Sequence, residues 1–212
     1  MGLFRWEIED LLTELEAREL LAPFFSHLDS CPVTAWDRWH AGVSESVLHD
    51  ISSMQRGGCI HDLTIAEAKK TFTPAQNEGV ELCQRLGIFK LYFTGTNDKL
   101  AVVRFRKLPV TGLLPPEQMS EQCQKWYWNE PLPGVRSSYT RLTCGYVLDA
   151  VELGIADVMI VLQVKDSIVW RFSIHEGAEG IRVPVQPLPS VLPPAAQISS
   201  IDPKTAKEGG SR

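Results

Sequence analysis

No apolar run in these 212 residues comes near the length of a membrane-crossing helix. The longest, such as Val158–Leu162, are strand-length, against about 20 residues for a bilayer span. The reading is therefore of a protein without a membrane span. An export signal is missing too, because Met1-Gly2-Leu3-Phe4-Arg5-Trp6 turns acidic at Glu7, Glu9 and Asp10, the reverse of a basic start and apolar centre. Trp6 stands where N-myristoylation asks for Ser or Thr. Cysteine is scarce: Cys31, Cys59, Cys83, Cys123 and Cys144 are odd in number and widely spaced. That pattern excludes a disulfide framework and points to a reducing compartment, cytoplasm or nucleus. Nucleophile elbows, phosphate loops, dinucleotide turns and His-Glu-x-x-His pairs are likewise absent, so the sequence supplies no catalytic residue and leans away from an enzyme.

What is present is globular. Hydrophobic residues make up 44% and charged residues 22%, with 21 Lys+Arg against 26 Asp+Glu and a formal charge of −5. Those proportions exclude wholesale disorder, collagen and coiled coil. Between Phe4 and Leu21, Phe4, Ile8, Leu11, Leu12 and Leu15 recur at helical spacing. The opposite face holds Glu7, Glu9, Asp10, Glu14, Glu16 and Glu19 against Arg5 and Arg18, so most of the chain's negative charge sits on one predicted helix.

Pro23 and Pro32 predict a break between that helix and a second over Val33–Ile51. The pairs Ser52-Ser53 and Gly57-Gly58 predict a loop, and a helix restarts at Leu63 with Asp62 or Thr64 as cap. Helix is read again over Glu78–Leu86, followed by a hairpin of Ile88–Thr94 and Leu100–Leu108 around Gly95–Lys99. The order then returns: helix over Gln118–Trp128, helix over Tyr139–Leu153, and a hairpin of Ala156–Val164 and Ser167–Ile174 around Lys165-Asp166. At an offset of 67 residues the segment Glu78–Lys107 matches its counterpart at seven of 30 positions, among them Leu86-Gly87-Ile88 on Leu153-Gly154-Ile155 and Arg104-Phe105 on Arg171-Phe172. A duplicated helix-plus-hairpin unit is one reading of that match.

The predicted fold is α+β. Residues 1–75 form a helical N-terminal portion, and 76–183 carry two helix-plus-β-hairpin units that form one antiparallel sheet with helices on one face. Residues 184–212, with five prolines by Pro194 counted from Pro184, form a disordered Pro-rich tail. Its Pro184-Val185-Gln186-Pro187 has the spacing a polyproline groove reads, though Arg182 lies too close to flank it.

Three sets of residues stand as candidate sites. The first serves a protein partner: the acidic face with Glu7, Asp10 and Glu14, and the aromatics Trp126 and Trp128 beside Tyr127, since Trp and Tyr anchor interfaces. The second serves nucleic acid. Arg104 and Arg106 fall on one strand face by alternation, with Lys107, Arg171 and the neighbouring Lys90 and Tyr92 to extend it toward phosphates, although a pI near 5.6 excludes a duplex-wide basic footprint. The third is a zinc site from His27-x-x-x-Cys31 and Cys59-x-His61, whose ligand types suit a tetrahedral ion but whose spacing departs from the usual pairs. A magnesium-nuclease set of Asp157, Gln163 and Lys165 fails because Asp157 and Gln163 share one strand and Lys165-Asp166 reads as a turn. The leading expectation is a non-enzymatic, intracellular interaction or regulatory protein, with nucleic-acid binding or processing and a zinc-stabilised module as alternatives. Nothing in the sequence sets an oligomeric state.

Overall fold

A computed structural model describes residues 11–44, 47, 50–73, 77–85, 88–95, 99–114, 121–127, 129 and 138–175. The expectations for Glu7, Asp10, Trp128 and the tail over 184–212 lie outside them. The described elements, in chain order, are α1 (Glu14–Leu21), a short 3-10 turn (Ala22–Phe24), α2 (Phe25–Gly42), α3 (Ser53–Thr71), β1 (Val80–Arg85), β2 (Ile88–Thr94), β3 (Leu100–Lys107), α4 (Glu121–Tyr127), β4 (Thr140–Leu148), β5 (Ile155–Val164) and β6 (Ser167–Ser173). The mixed α+β content and both predicted hairpins, β2–β3 and β5–β6, are present.

Six strands form one sheet in sequential order. Within β1–β2–β3 and within β4–β5–β6 every pairing is antiparallel, but β3 and β4 run parallel. The sheet is therefore mixed, not wholly antiparallel. A parallel join needs a crossover, and the stretch that carries α4 supplies it. For the same reason the helices do not share one face. Residues of α1, α2 and α3 pack on Phe89, Leu91, Phe93, Val103, Phe105, Leu142 and Ile160, whereas Trp126 and Tyr127 of α4 pack on Tyr92 and Val102 from the other side.

Several local expectations are overturned. Of the helix expected over Phe4–Leu21, residues 4–10 lie outside the described ones, and 11–13 are not helical because Thr13 and Glu16 form a reciprocal capping box that starts α1 at Glu14. Just before it Leu12 is strapped to the sheet, its N–H donating to Thr140 Oγ1 and its carbonyl accepting from Trp170 Nε1. Pro32 lies inside α2 and does not break it. Proline cannot donate to the carbonyl four residues back. That carbonyl, on Leu28, takes a long thiol contact from Cys144 of β4 at 3.9 Å instead. Gly57-Gly58, read as loop, lie within α3, whose start is fixed by a Ser52–Gln55 capping box.

Glu78–Leu86 and Tyr139–Leu153, read as helices, hold β1 and β4. In β4 all nine residues are buried, so the strand shows none of the polar-apolar alternation by which a half-exposed strand is recognised.

Candidate functional site

Strand alternation sorts the middle of the sheet into two chemistries. Leu91, Phe93, Val103, Phe105, Leu142 and Cys144 point toward α2 and α3, and their neighbours Lys90, Tyr92, Arg104, Arg106 and Arg141 point toward α4. Trp126 lies at the centre of this second set and is 1% exposed. Over its ring stand Arg104 at 4.9 Å, Lys90 at 5.8 Å and Arg141 at 5.9 Å from the centroid. A cation attracted to the indole face gains about 0.5–2 kcal/mol, more as water is excluded. Water is largely excluded here, since Lys90 is 7% and Arg141 4% exposed.

The same side chains fasten α4. Arg141 Nη1 donates to the carbonyl of Lys125 at 2.9 Å, completing the helix C-terminus, and Arg106 Nε donates to Tyr127 Oη at 3.1 Å. Asn129, with φ of +54°, turns the chain out of the helix, and its Oδ1 accepts from the Arg141 N–H at 2.8 Å. Tyr92 and Tyr139 meet edge to face at 5.0 Å beside the cluster. The indole N–H of Trp126 is buried and has no hydrogen-bond partner among the described residues.

Of the four basic residues proposed from sequence, Arg104, Arg106 and Arg171 share this face. Arg171 donates to the carbonyl of Thr111 in the loop that covers β5 and β6. Lys107 points to the other face, where it bridges with Arg56 to Glu152. That pairing, hydrogen bonding from Lys107 foremost, holds the Glu152 carboxyl below its ordinary range. Arg141 escaped the sequence reading because its segment was assigned to a helix, in which alternation has no meaning. The field of the cluster extends to His61, whose imidazole is held below its ordinary value by burial first and by Arg106 next, with Arg104 adding to them and Asp62 opposing.

The protein-partner set fares differently. Trp126 is interior and offers no exposed anchor, and Glu14 is occupied by Arg18 one turn on, at 2.8 Å.

The zinc set does not assemble. Among the described residues no group of three or more His, Cys, Asp or Glu side chains is placed to hold a metal ion. Cys59 and His61 lie two apart on α3, about 200° around the helix from one another, and Cys59 is exposed. Cys31 donates to the carbonyl of His27 at 3.1 Å, and the His27 ring stands edge-on to Phe72.

Burial pushes the Cys31 thiol up to about 12 and lifts Cys144 well above its ordinary value, so both stay protonated, the opposite of what a nucleophile or a thiolate ligand requires. His175 Nδ1 is bonded to Asp29 Oδ1 at 2.8 Å. Gln163 is spent on the backbone of Leu114 and Lys165, and Asp157 on Ser173, so the nuclease set does not form either.

Among the described residues no helix is long and apolar enough to cross a membrane. No protein-family model, curated protein or solved structure matches this chain.

Proposed function

We propose that this protein is a binding module for single-stranded nucleic acid, held by the half-buried guanidinium groups of Arg104, Arg106 and Arg171, with Lys90 and Arg141 buried beneath the Trp126 ring as their support. One observation carries the reading: Arg104 and Arg106 of β3 and Arg171 of β6 lie half-buried on one face of the sheet, while the other face packs an apolar core. Guanidinium groups spaced along one sheet face are suited to contacting successive phosphates of a backbone.

Strands stand about 5 Å apart, so β3 to β6 span about 15 Å, which suits about three phosphates of a single strand and not a duplex turn. A chain of net charge −5 with its cations concentrated this way fits a short contact.

Fluorescence anisotropy with short labelled single-stranded DNA and RNA tests the reading. The logarithm of affinity should fall with the logarithm of salt at a slope of about −2, as about three neutralised phosphates require. Arg104→Gln with Arg106→Gln should weaken binding about tenfold or more, with the urea midpoint measured alongside because both side chains also fasten α4. Equal binding by that variant, or a slope near zero, would sink the proposal.

A second reading, a protein partner, is favoured by the turn between β4 and β5. There Asp149 Oδ1 accepts from the N–H groups of Val151 and Leu153, and those side chains stand 69% and 72% exposed. A rigid turn that presents two apolar side chains binds at low entropic cost. We also read the two meanders as a duplication: the 67-residue offset carries the first residue of β2 onto that of β5 and the first of β3 onto that of β6.

A further inference from the structure

The two edges of the sheet are not equivalent. At the β6 edge the register slips between Leu162 and Gln163, a bulge that spoils a flat pairing surface. The N-terminal segment also crowds that edge, with Trp170 bonded to Leu12 and the Arg18 guanidinium 4.0 Å from the centre of the Phe172 ring. The β1 edge has neither device. Val80–Arg85 pairs with β2 in unbroken register, contains no proline or lysine, and among the described residues has no strand on its other side.

The direction of its free backbone groups follows from one bond. Thr94 donates to the carbonyl of Gly79 at 2.9 Å, which makes Gly79, Glu81 and Cys83 the residues whose N–H and C=O groups turn toward β2. The groups of Leu82 and Gln84 therefore turn outward.

We propose that β1 pairs antiparallel with β1 of a second copy of this chain, with Leu82 of each copy opposite Gln84 of the other. An antiparallel ladder must match outward residues with outward residues, so Leu82 on itself, Gln84 on itself and Leu82 on Gln84 are the central registers open to it. The last alone sets the acidic position Glu81 opposite the basic position Arg85, and the two-fold axis makes that pairing twice. Opposite charges across a ladder stabilise it, and like charges destabilise it by similar amounts. In this register Cys83 faces its own copy at a non-hydrogen-bonded site, where Cα atoms lie about 4.5 Å apart, inside the range a disulfide spans. The result is a continuous twelve-stranded sheet built on an isologous contact.

Sedimentation equilibrium of the full chain should return about twice the 23.7 kDa mass of one copy. Glu81→Arg and Arg85→Glu should each weaken the dimer about tenfold or more, and the two together should restore it. Gln84→Pro, which removes an outward N–H and no bond to β2, should give a folded monomer. Diamide, which takes up the two thiol hydrogens, should cross-link a Cys59→Ser, Cys123→Ser background as a dimer, and Cys83→Ser should abolish the cross-link. A monomeric mass at the highest attainable concentration, a dimer indifferent to both charge changes, or a cross-link that survives Cys83→Ser would overturn the proposal.

Discussion

On one side of β2, β3 and β4 the side chains are Leu91, Phe93, Val103, Phe105, Leu142 and Cys144. On the other side the very next residues are Lys90, Tyr92, Arg104, Arg106, Arg141 and Thr143. The first face is sealed by three helices and ring contacts such as Phe24 on Phe93 at 5.2 Å and Phe72 on Phe93 at 6.1 Å. The second is covered by a seven-residue helix whose indole takes three cations. One face is thus held by area removed from water and the other by a ring quadrupole among like charges. The cation–indole contacts make the second face the more sensitive of the two to ions.

The largest effect that would break this contrast is on the apolar face. Phe93→Ala should cost about 3–5 kcal/mol, the range for emptying a buried aromatic site, and the loss should not change with salt. Trp126→Leu keeps apolar volume against the sheet but removes the π face, and three weakened cation contacts should cost about 2 kcal/mol. The remaining repulsion among Lys90, Arg104 and Arg141 is screened by added salt, so this loss should shrink as salt rises. Urea denaturation of both variants at low and high salt checks the pair. Equal salt dependence would remove the distinction between the faces.

A smaller effect joins the helical layer to the sheet. Cys144→Ala removes the thiol that meets the carbonyl left without a partner by Pro32, and a buried unsatisfied carbonyl costs about 1–3 kcal/mol. Pro32→Ala gives α2 back its own donor, so in that background Cys144→Ala should cost measurably less. A double-mutant cycle with additive losses would mean that the thiol contact contributes nothing.

These cases also show what the sequence could and could not reveal. The hairpins were legible because alternating β-rich runs flank turn residues, Gly95–Lys99 in one and Lys165-Asp166 in the other. The shared face of Arg104 and Arg106 followed from the same alternation, and Arg171 was added as their counterpart at the 67-residue offset. β4 was not legible, because a strand buried on both faces has no period to read, and with it went Arg141, the parallel join and the second helical face. Pro32 misled for a different reason. The residue that answers its missing donor lies over a hundred positions away, on an element that the same reading had made helical. Trp126 was read as an interface anchor for a protein partner, whereas its burial depends on the crossover path, which no local pattern specifies.

The smallest predicted effect concerns glycine, and it separates a position where flexibility is used from one where it is not. Gly145 of β4 sits on the α4 side of the sheet, where an added Cβ would fall 2.1 Å from Leu108 Cδ1 and 3.3 Å from the Arg106 carbonyl. Gly145→Ala must displace Leu108 and should destabilise by about 1–3 kcal/mol, as overpacking does. Gly58 sits on an exposed turn of α3, and a Cβ there would meet nothing within 4 Å. The capping box at Ser52 and the packing of Ile60, Ile65 and Ala68 hold α3 together despite its two glycines. Alanine narrows the unfolded ensemble and suits a helix interior, so Gly58→Ala should stabilise by about 0.5–1 kcal/mol. A shift of the urea midpoint to higher concentration at unchanged slope is the result expected. A shift the other way would mean that Gly58 is needed for close approach of something the isolated chain does not contain, and would make the exposed side of α3 the next surface to probe.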